Sequence, residues 1–294
     1  MSGAEERRRR VKTLRAEQAR RQAAAARRRR FALIAAPIAV VVLVIAVMAG
    51  VKLTGTSTTG GTLSAASEST LAKVTGVPAE TLAKAGAPPP DAKVLPVSGE
   101  PPLMQDGKPR IFYLGAEYCP YCAAERWPLI VALSRFGTFT GLGESRSTSD
   151  DVFPNTATFT FRSATYSSPY VAFTAVETED SQGRPLQQPD TADAALVTKL
   201  NGPPYVPAEA KGSIPFIDIG NQFLITGASY SPDVLKGLDN EQIADKLADP
   251  TGSIGKPVDS VANLMTASIC AITGDKPANV CNEPVVKNIR KGLG

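Results

Sequence analysis

The sequence predicts an α/β domain behind a single N-terminal transmembrane helix. Residues 31–51 form one observation behind this: 21 consecutive uncharged, mostly aliphatic residues. A second is an apolar stretch, residues 110–115, that runs into Cys119-Pro120-Tyr121-Cys122 and then a helix-like segment. The third lies downstream of the cysteines, where apolar residues alternate at strand spacing and at helix spacing in turn.

Residues 1–30 hold 11 Arg and one Lys against three Glu, a net +9, so the other residues hold −5 of the chain's total of +4. The basic character therefore belongs to the tail. A helix of residues 31–51 would span ~32 Å, matching a hydrocarbon core of ~30 Å. Arg27–Arg30 precede the run and only Lys52 follows closely. The positive-inside rule then puts residues 1–30 in the cytoplasm and the chain after Val51 outside. The apolar run exceeds the ~7–15 residues of a cleaved signal peptide, so an uncleaved anchor in the lipid bilayer is expected. The tail has no aromatic residues to stack on bases, and no nucleic-acid partner is expected.

Residues 52–100 read as a linker. A Gly-, Ser- and Thr-rich tether runs to about residue 69, and short helices in residues 70–86 break at Gly76-Val77-Pro78. A Pro-rich lead-in follows. The folded domain is expected over 101–294. Asp106-Gly107 marks a turn before a strand at 110–114. Residues 123–136 read as a helix, with Leu129, Ile130, Leu133 and Phe136 on one face and Pro128 kinking it or lying in its early turns. Strands are expected at 157–161 and 170–176. Residues 177–212 read as polar loop with a short helix at 191–200. Residues 216–219 and 222–226 flank Gly220-Asn221, a two-residue hairpin turn. Helices are expected at 233–247 and, as the last one, at 258–272, the latter in a C-terminal helical extension over 257–294.

The chain has four cysteines and no histidine. This removes His-ligated metals, Ser-His-Asp and Cys-His catalysis, and Cys-x-x-Cys-His haem attachment. An even cysteine count outside the membrane suits a compartment where disulfides persist. A Cys-x-x-Cys opening a helix has the form of a redox dithiol. The helix N-terminus stabilises a thiolate, so Cys119 is the expected nucleophile and Cys122 the resolving thiol. Zinc would need a second pair at ligand spacing, whereas Cys270 and Cys281 have ten residues between them; no metal and no cofactor are expected. Cys270 and Cys281 read as a disulfide stapling the C-terminus, worth ~2–3 kcal/mol by loop entropy. The alternative is a second redox pair.

The segment Lys211-Gly212-Ser213-Ile214-Pro215-Phe216-Ile217-Asp218, following the Cys-x-x-Cys in this order, resembles the thioredoxin superfamily. The resemblance implies a thioredoxin-like fold, a central mixed sheet flanked by helices, with an insertion over about 141–211. It makes Pro215 a cis-proline against the dithiol and gives the backbone of Ile214 to a substrate peptide. Tyr118 and Tyr121, beside the cysteines, join Ile214 and Pro215 as expected substrate-binding residues. The run from Gly115 to Trp127 resembles a membrane-anchored prokaryotic family known as domain of unknown function 929, which implies fold and redox class but no substrate. Thr226-Gly227-Ala228 stands where glutaredoxins carry Gly-Gly, so glutathione is not implied. The superfamily's buried acid, six residues before the first cysteine, is replaced by Tyr113. Glu117, Glu125, Asp218 or a water remain as proton carriers, although both glutamates read as solvated surface charges.

The expected function is that of a thiol–disulfide oxidoreductase anchored in the cell membrane and facing outward. Its partners would be exported protein thiols or disulfides and a membrane electron-transfer protein. The alternative is a non-catalytic, membrane-tethered binding module on the same scaffold. Its surface would be drawn from Phe153, Phe159, Phe161, Tyr166, Tyr170 and Phe173, residues that otherwise read as core.

Overall fold

The computed structural model describes residues 64–90, 92 and 94–293. The basic tail, the expected transmembrane segment 31–51 and the start of the linker lie outside the described residues. Among the described residues no helix is long and apolar enough to cross a membrane.

In chain order, β1 (Ser64–Ala65) leads into α1 (Glu68–Thr75), whose first turn is capped by the Ser67 hydroxyl accepting from the Thr70 amide. The Gly76-Val77-Pro78 break separates it from α2 (Ala79–Ala85). Then come β2 (Leu95–Pro96), β3 (Met104–Gln105) and β4 (Lys108–Gly115). Asp106 and Gly107, at φ 50° and 73°, make the turn between the last two with the positive φ values that a tight hairpin needs. After α3 (Pro120–Ser134) come β5 (Thr138–Thr140), β6 (Gly143–Arg146), β7 (Ala157–Thr160), β8 (Thr165–Ser167) and β9 (Ala172–Glu177). Helix α4 (Thr191–Leu200) is capped by Asp190. The hairpin β10 (Phe216–Ile219) and β11 (Phe223–Thr226) leads to α5 (Asn240–Lys246), α6 (Gly255–Ile272), α7 (Ala278–Cys281) and α8 (Pro284–Arg290).

The main sheet is mixed. β4 lies at its centre, antiparallel to β10 on one side and parallel to β9 on the other, with β3 pairing the start of β4. β11 and then β2 extend the sheet beyond β10. Alternation along β4 and β10 divides the side chains between two faces. Phe112, Leu114, Phe216 and Leu224 join Val176 and Leu200 in one apolar cluster. Ile111, Tyr113, Ile217 and Ile225 join the larger core that includes α3 and α6.

Helix α3 is the hub. Every residue from Cys122 to Leu133 is buried. The Trp127 indole donates to the Ala157 carbonyl at 3.0 Å, and the Thr158 hydroxyl donates to Ala123 at 2.8 Å. Pro128 stands inside the helix, in neither of its first two turns. Lacking an N–H, it leaves the Ala124 carbonyl without its helical donor. The Tyr230 hydroxyl takes that place at 2.6 Å.

Three sequence readings change. Residues 64–90 and 94–96, read as linker, belong to the folded unit: Val74 and Leu82 are fully buried or nearly so, and Asn263 of α6 donates to the Leu82 and Gly86 carbonyls at the end of α2. The span 141–211, read as an insertion, contains β9, the parallel partner of β4; between α3 and β9 lie the pairs β6–β7 and β5–β8. The helix read over 233–247 divides into a 3-10 turn (Pro232–Leu235) and α5, because Gly237 takes φ 75° and Asp239 caps a new start with a capping box.

Candidate functional site

β4 ends at Gly115, and four residues later Cys119 caps α3. A side chain at position 115 would collide with the Tyr113 hydroxyl, so glycine lets the tyrosine fold back along the strand end. Cys119 has extended backbone angles, and Pro120 occupies the first helical position, where a missing N–H costs nothing. The Cys119 sulfur accepts the Cys122 amide at 3.1 Å and its thiol donates to the Ile214 carbonyl at 3.9 Å. The Ile214–Pro215 peptide bond is cis. Ala116, Cys119 and Cys122 thus form a small cluster of their own, with Tyr118 and Ile214 packed on it.

Both sulfurs are free thiols. Cys119 is 5% exposed and Cys122 not at all. Hydrogen bonding with Cys122 brings the Cys119 thiol below its ordinary value against the opposing effect of burial, with Arg126 adding to the drop. Burial pushes Cys122 well up, and Cys119 adds to it. The two environments therefore divide the roles: Cys119 is the group more readily ionised, and Cys122 retains its proton.

Arg126, one turn beyond Cys122, is the charged group whose field reaches both sulfurs. Its Nε and Nη2 donate to the two carboxylate oxygens of Glu177 at 2.9 and 2.6 Å. Nη2 also donates to the Ala116 carbonyl at 2.8 Å, the same carbonyl that accepts the Cys119 amide. Neither side chain of the pair is exposed. Burial opposes the guanidinium charge and Glu177 outweighs it, so Arg126 stays a cation. The Tyr113 ring lies 5.7 Å from the guanidinium. Burial pushes its phenol well above 10, so it stays protonated.

The sequence-derived acids separate. Asp218 pairs in register with Phe112, on the sheet face away from α3. Glu117 and Glu125 are not surface charges: they are 5% and 0% exposed. Each is buried because a distant segment supplies its donors. Glu125 accepts the Ser229 amide and hydroxyl, both at 2.7 Å, while Glu117 accepts the Thr160 hydroxyl at 2.7 Å and faces Arg162. Sequence reasoning passed over Arg126 and Glu177. The available signal was a charged residue four positions after Cys122, a spacing that returns it to the face of the cysteine.

Tyr121 is 41% exposed and Tyr118 half-buried at the mouth of the site. Phe159 and Phe161 are core, while Phe153 meets the Tyr121 ring edge-on at 5.7 Å. Cys270 and Cys281 form a disulfide. It lies elsewhere: Ile272 packs on Gly220, at the turn end of the β10–β11 hairpin, whereas Pro215 begins that hairpin at its other end. Among the described residues no group of three or more Cys, Asp or Glu side chains is arranged to hold a metal ion.

A family model described as a domain of unknown function (DUF929) matches residues 94–271, more than half of the chain and all of the dithiol site. No curated protein and no solved structure matches the chain.

Proposed function

We propose that this chain, which belongs to the DUF929 family, is a membrane-anchored thiol–disulfide oxidoreductase with a thioredoxin-like domain outside the membrane. The observation that supports this most is the placing of Cys119. Its sulfur caps a buried helix, accepts the Cys122 amide and abuts the carbonyl before Pro215, with Arg126 behind. The uncharged residues 31–51 and the basic residues before them support the anchor and the outward orientation.

In the reducing direction, the Cys119 thiolate attacks one sulfur of a substrate disulfide. An S–S bond to Cys119 forms, the substrate S–S bond breaks, and the departing thiolate takes a proton from solvent. Cys122 then gives up its proton and attacks the Cys119 sulfur, releasing the second substrate thiolate. The substrate gains two electrons and two protons, and the chain is left with a Cys119–Cys122 disulfide. Reversal of the same steps oxidises a substrate dithiol. A membrane electron-transfer partner would return the dithiol to its working state, and exported proteins are the substrates.

The near-complete burial of Cys119 favours a second reading, a tethered binding module whose thiols do not exchange. Reaction of the reduced chain with a neutral small disulfide separates the two. Oxidation of Cys119 and Cys122 that is lost in Cys119→Ser, with a trapped mixed disulfide in Cys122→Ser, is the expected result. A wild-type dithiol inert to small disulfides, together with a Cys119 that alkylates like a free thiol, would leave the binding module.

A further inference from the structure

We propose that the tip of the β6–β7 hairpin, residues 147–156, is a second wall of a peptide-docking surface beside Cys119. Its occupant is an extended polypeptide segment that carries an apolar and a basic side chain next to its cysteine. This rests on the exchange function proposed above and names its substrate class.

The hairpin tip is built onto the dithiol. The Thr148 amide donates to the Tyr118 carbonyl at 2.9 Å, one residue before Cys119. Ladder-like bonds continue past the strands, from Ser147 to the Thr156 carbonyl and from Asn155 to the Thr148 carbonyl, each 3.0 Å. The Ser147 hydroxyl accepts the Thr156 amide and donates to the Phe153 carbonyl, which fixes the tip internally. Phe153 is thereby held against Tyr121, between the two cysteines in sequence. Val152 beside it is 75% exposed, and with Tyr121 it accounts for two of the three large apolar side chains left exposed among the described residues. Cys119 itself is 5% exposed, and Tyr118, whose carbonyl holds the hairpin tip, packs on it with Ile214.

Acidic side chains stand beside this apolar ledge. Asp150 and Asp151 immediately precede Val152, and Glu179 and Asp151 both act on the Tyr118 hydroxyl, whose proton burial and these acids hold more tightly. None of the three acids is in an ion pair among the described residues. The nearby cations are engaged by other partners. Arg146 donates to the Asn155 and Leu238 carbonyls, and Arg162 faces Glu117, both along a polar cleft of about 580 Å³ that Asp150, Ser147, Thr148 and Asp180 also line. An apolar ledge with an acidic rim complements a cationic, partly apolar segment.

The test uses the full chain in detergent with its dithiol reduced. The probes are short disulfide-linked peptide dimers with Phe and Lys, or Ser and Glu, beside the cysteine, and neutral 2-hydroxyethyl disulfide. Each rate is normalised to that probe's reaction with dithiothreitol, which removes intrinsic reactivity. The Phe/Lys peptide is expected to react about ten-fold faster than the Ser/Glu peptide, the size of one apolar contact and one charge pair. The preference should shrink with added salt and drop by about half or more in Val152→Ser and in Asp151→Lys. Reaction of the wild type with 2-hydroxyethyl disulfide but no peptide preference, or a preference that both variants keep, would overturn the docking surface alone. Failure of the wild type with every probe would overturn the exchange function as well.

Discussion

Arg126 grips both carboxylate oxygens of Glu177 through Nε and Nη2, and the pair is fully buried one turn beyond Cys122. The two residues are far apart in sequence and come from the hub helix and the parallel strand beside β4. Removing one partner leaves a buried charge without its counter-ion, which typically costs about 3–5 kcal/mol. Glu177→Gln should lower stability by that order, read in urea unfolding. Arg126→Met should in addition raise the Cys119 thiol, read by the pH dependence of alkylation. The double variant Arg126→Met/Glu177→Met should recover much of the stability but not the lowered thiol. Recovery of both together would mean the pair serves packing alone.

The Tyr230 hydroxyl serves the carbonyl that Pro128 orphans. Tyr230→Phe should cost ~1–3 kcal/mol, the desolvation penalty of a buried acceptor left unpaired. In a Pro128→Ala background the helix regains an amide at position 128, and the same change should cost clearly less. A double-mutant cycle that shows no coupling would refute this link.

Glu125, Asp218 and Asp259 share an environment in which burial pushes each carboxyl up to about 7. Their ordinary values are 4.5, 3.8 and 3.8, so between those values and about 7 the folded chain holds protons that the unfolded chain has released. Stability from these groups is therefore fully present below about pH 4 and lost as pH rises through about 7. Both oxygens of Asp259 lack a hydrogen-bond partner, consistent with its burial as the neutral acid. Thermal unfolding should show a higher Tm at pH 5 than at pH 8, and Asp259→Asn should reduce that difference. A Tm that rises from pH 5 to pH 8 would contradict it.

The Cys270–Cys281 bridge closes a short loop at the end of the sheet away from Cys119. Replacing both cysteines with alanine should lower stability by ~3 kcal/mol on the loop-entropy model. It should leave the exchange rate of Cys119 with a small disulfide as it was. A changed rate would instead support electron relay between the two pairs.

Much of the site was legible because its signals are local. A Cys-x-x-Cys after an apolar stretch, an Ile-Pro before a strand and a Gly-Asn turn depend on neighbours within a few residues. The segment Thr191–Leu200 likewise announces itself as a helix by spacing, and its Asp190 cap follows the ordinary preference for that position. The misread elements depend on distant chain. Glu125 looks like a surface charge until the Ser229 segment arrives, and residues 64–90 and 94–96 look like linker until Asn263 closes on the end of α2.

By itself the sequence determined the strand before the dithiol, the dithiol at a helix start, the hairpin after Pro215, the absence of histidine chemistry and an uncharged stretch long enough to span a bilayer. Only the tertiary structure decided which charges lie behind the dithiol and what stands over its mouth. Arg126 needs Glu177 from another strand, and Tyr121 needs Phe153 from a hairpin between α3 and β9. The physical reason is that periodicity and capping act over one turn or one strand pair. Whether a charge is buried and paired is set by long-range packing that no local pattern encodes.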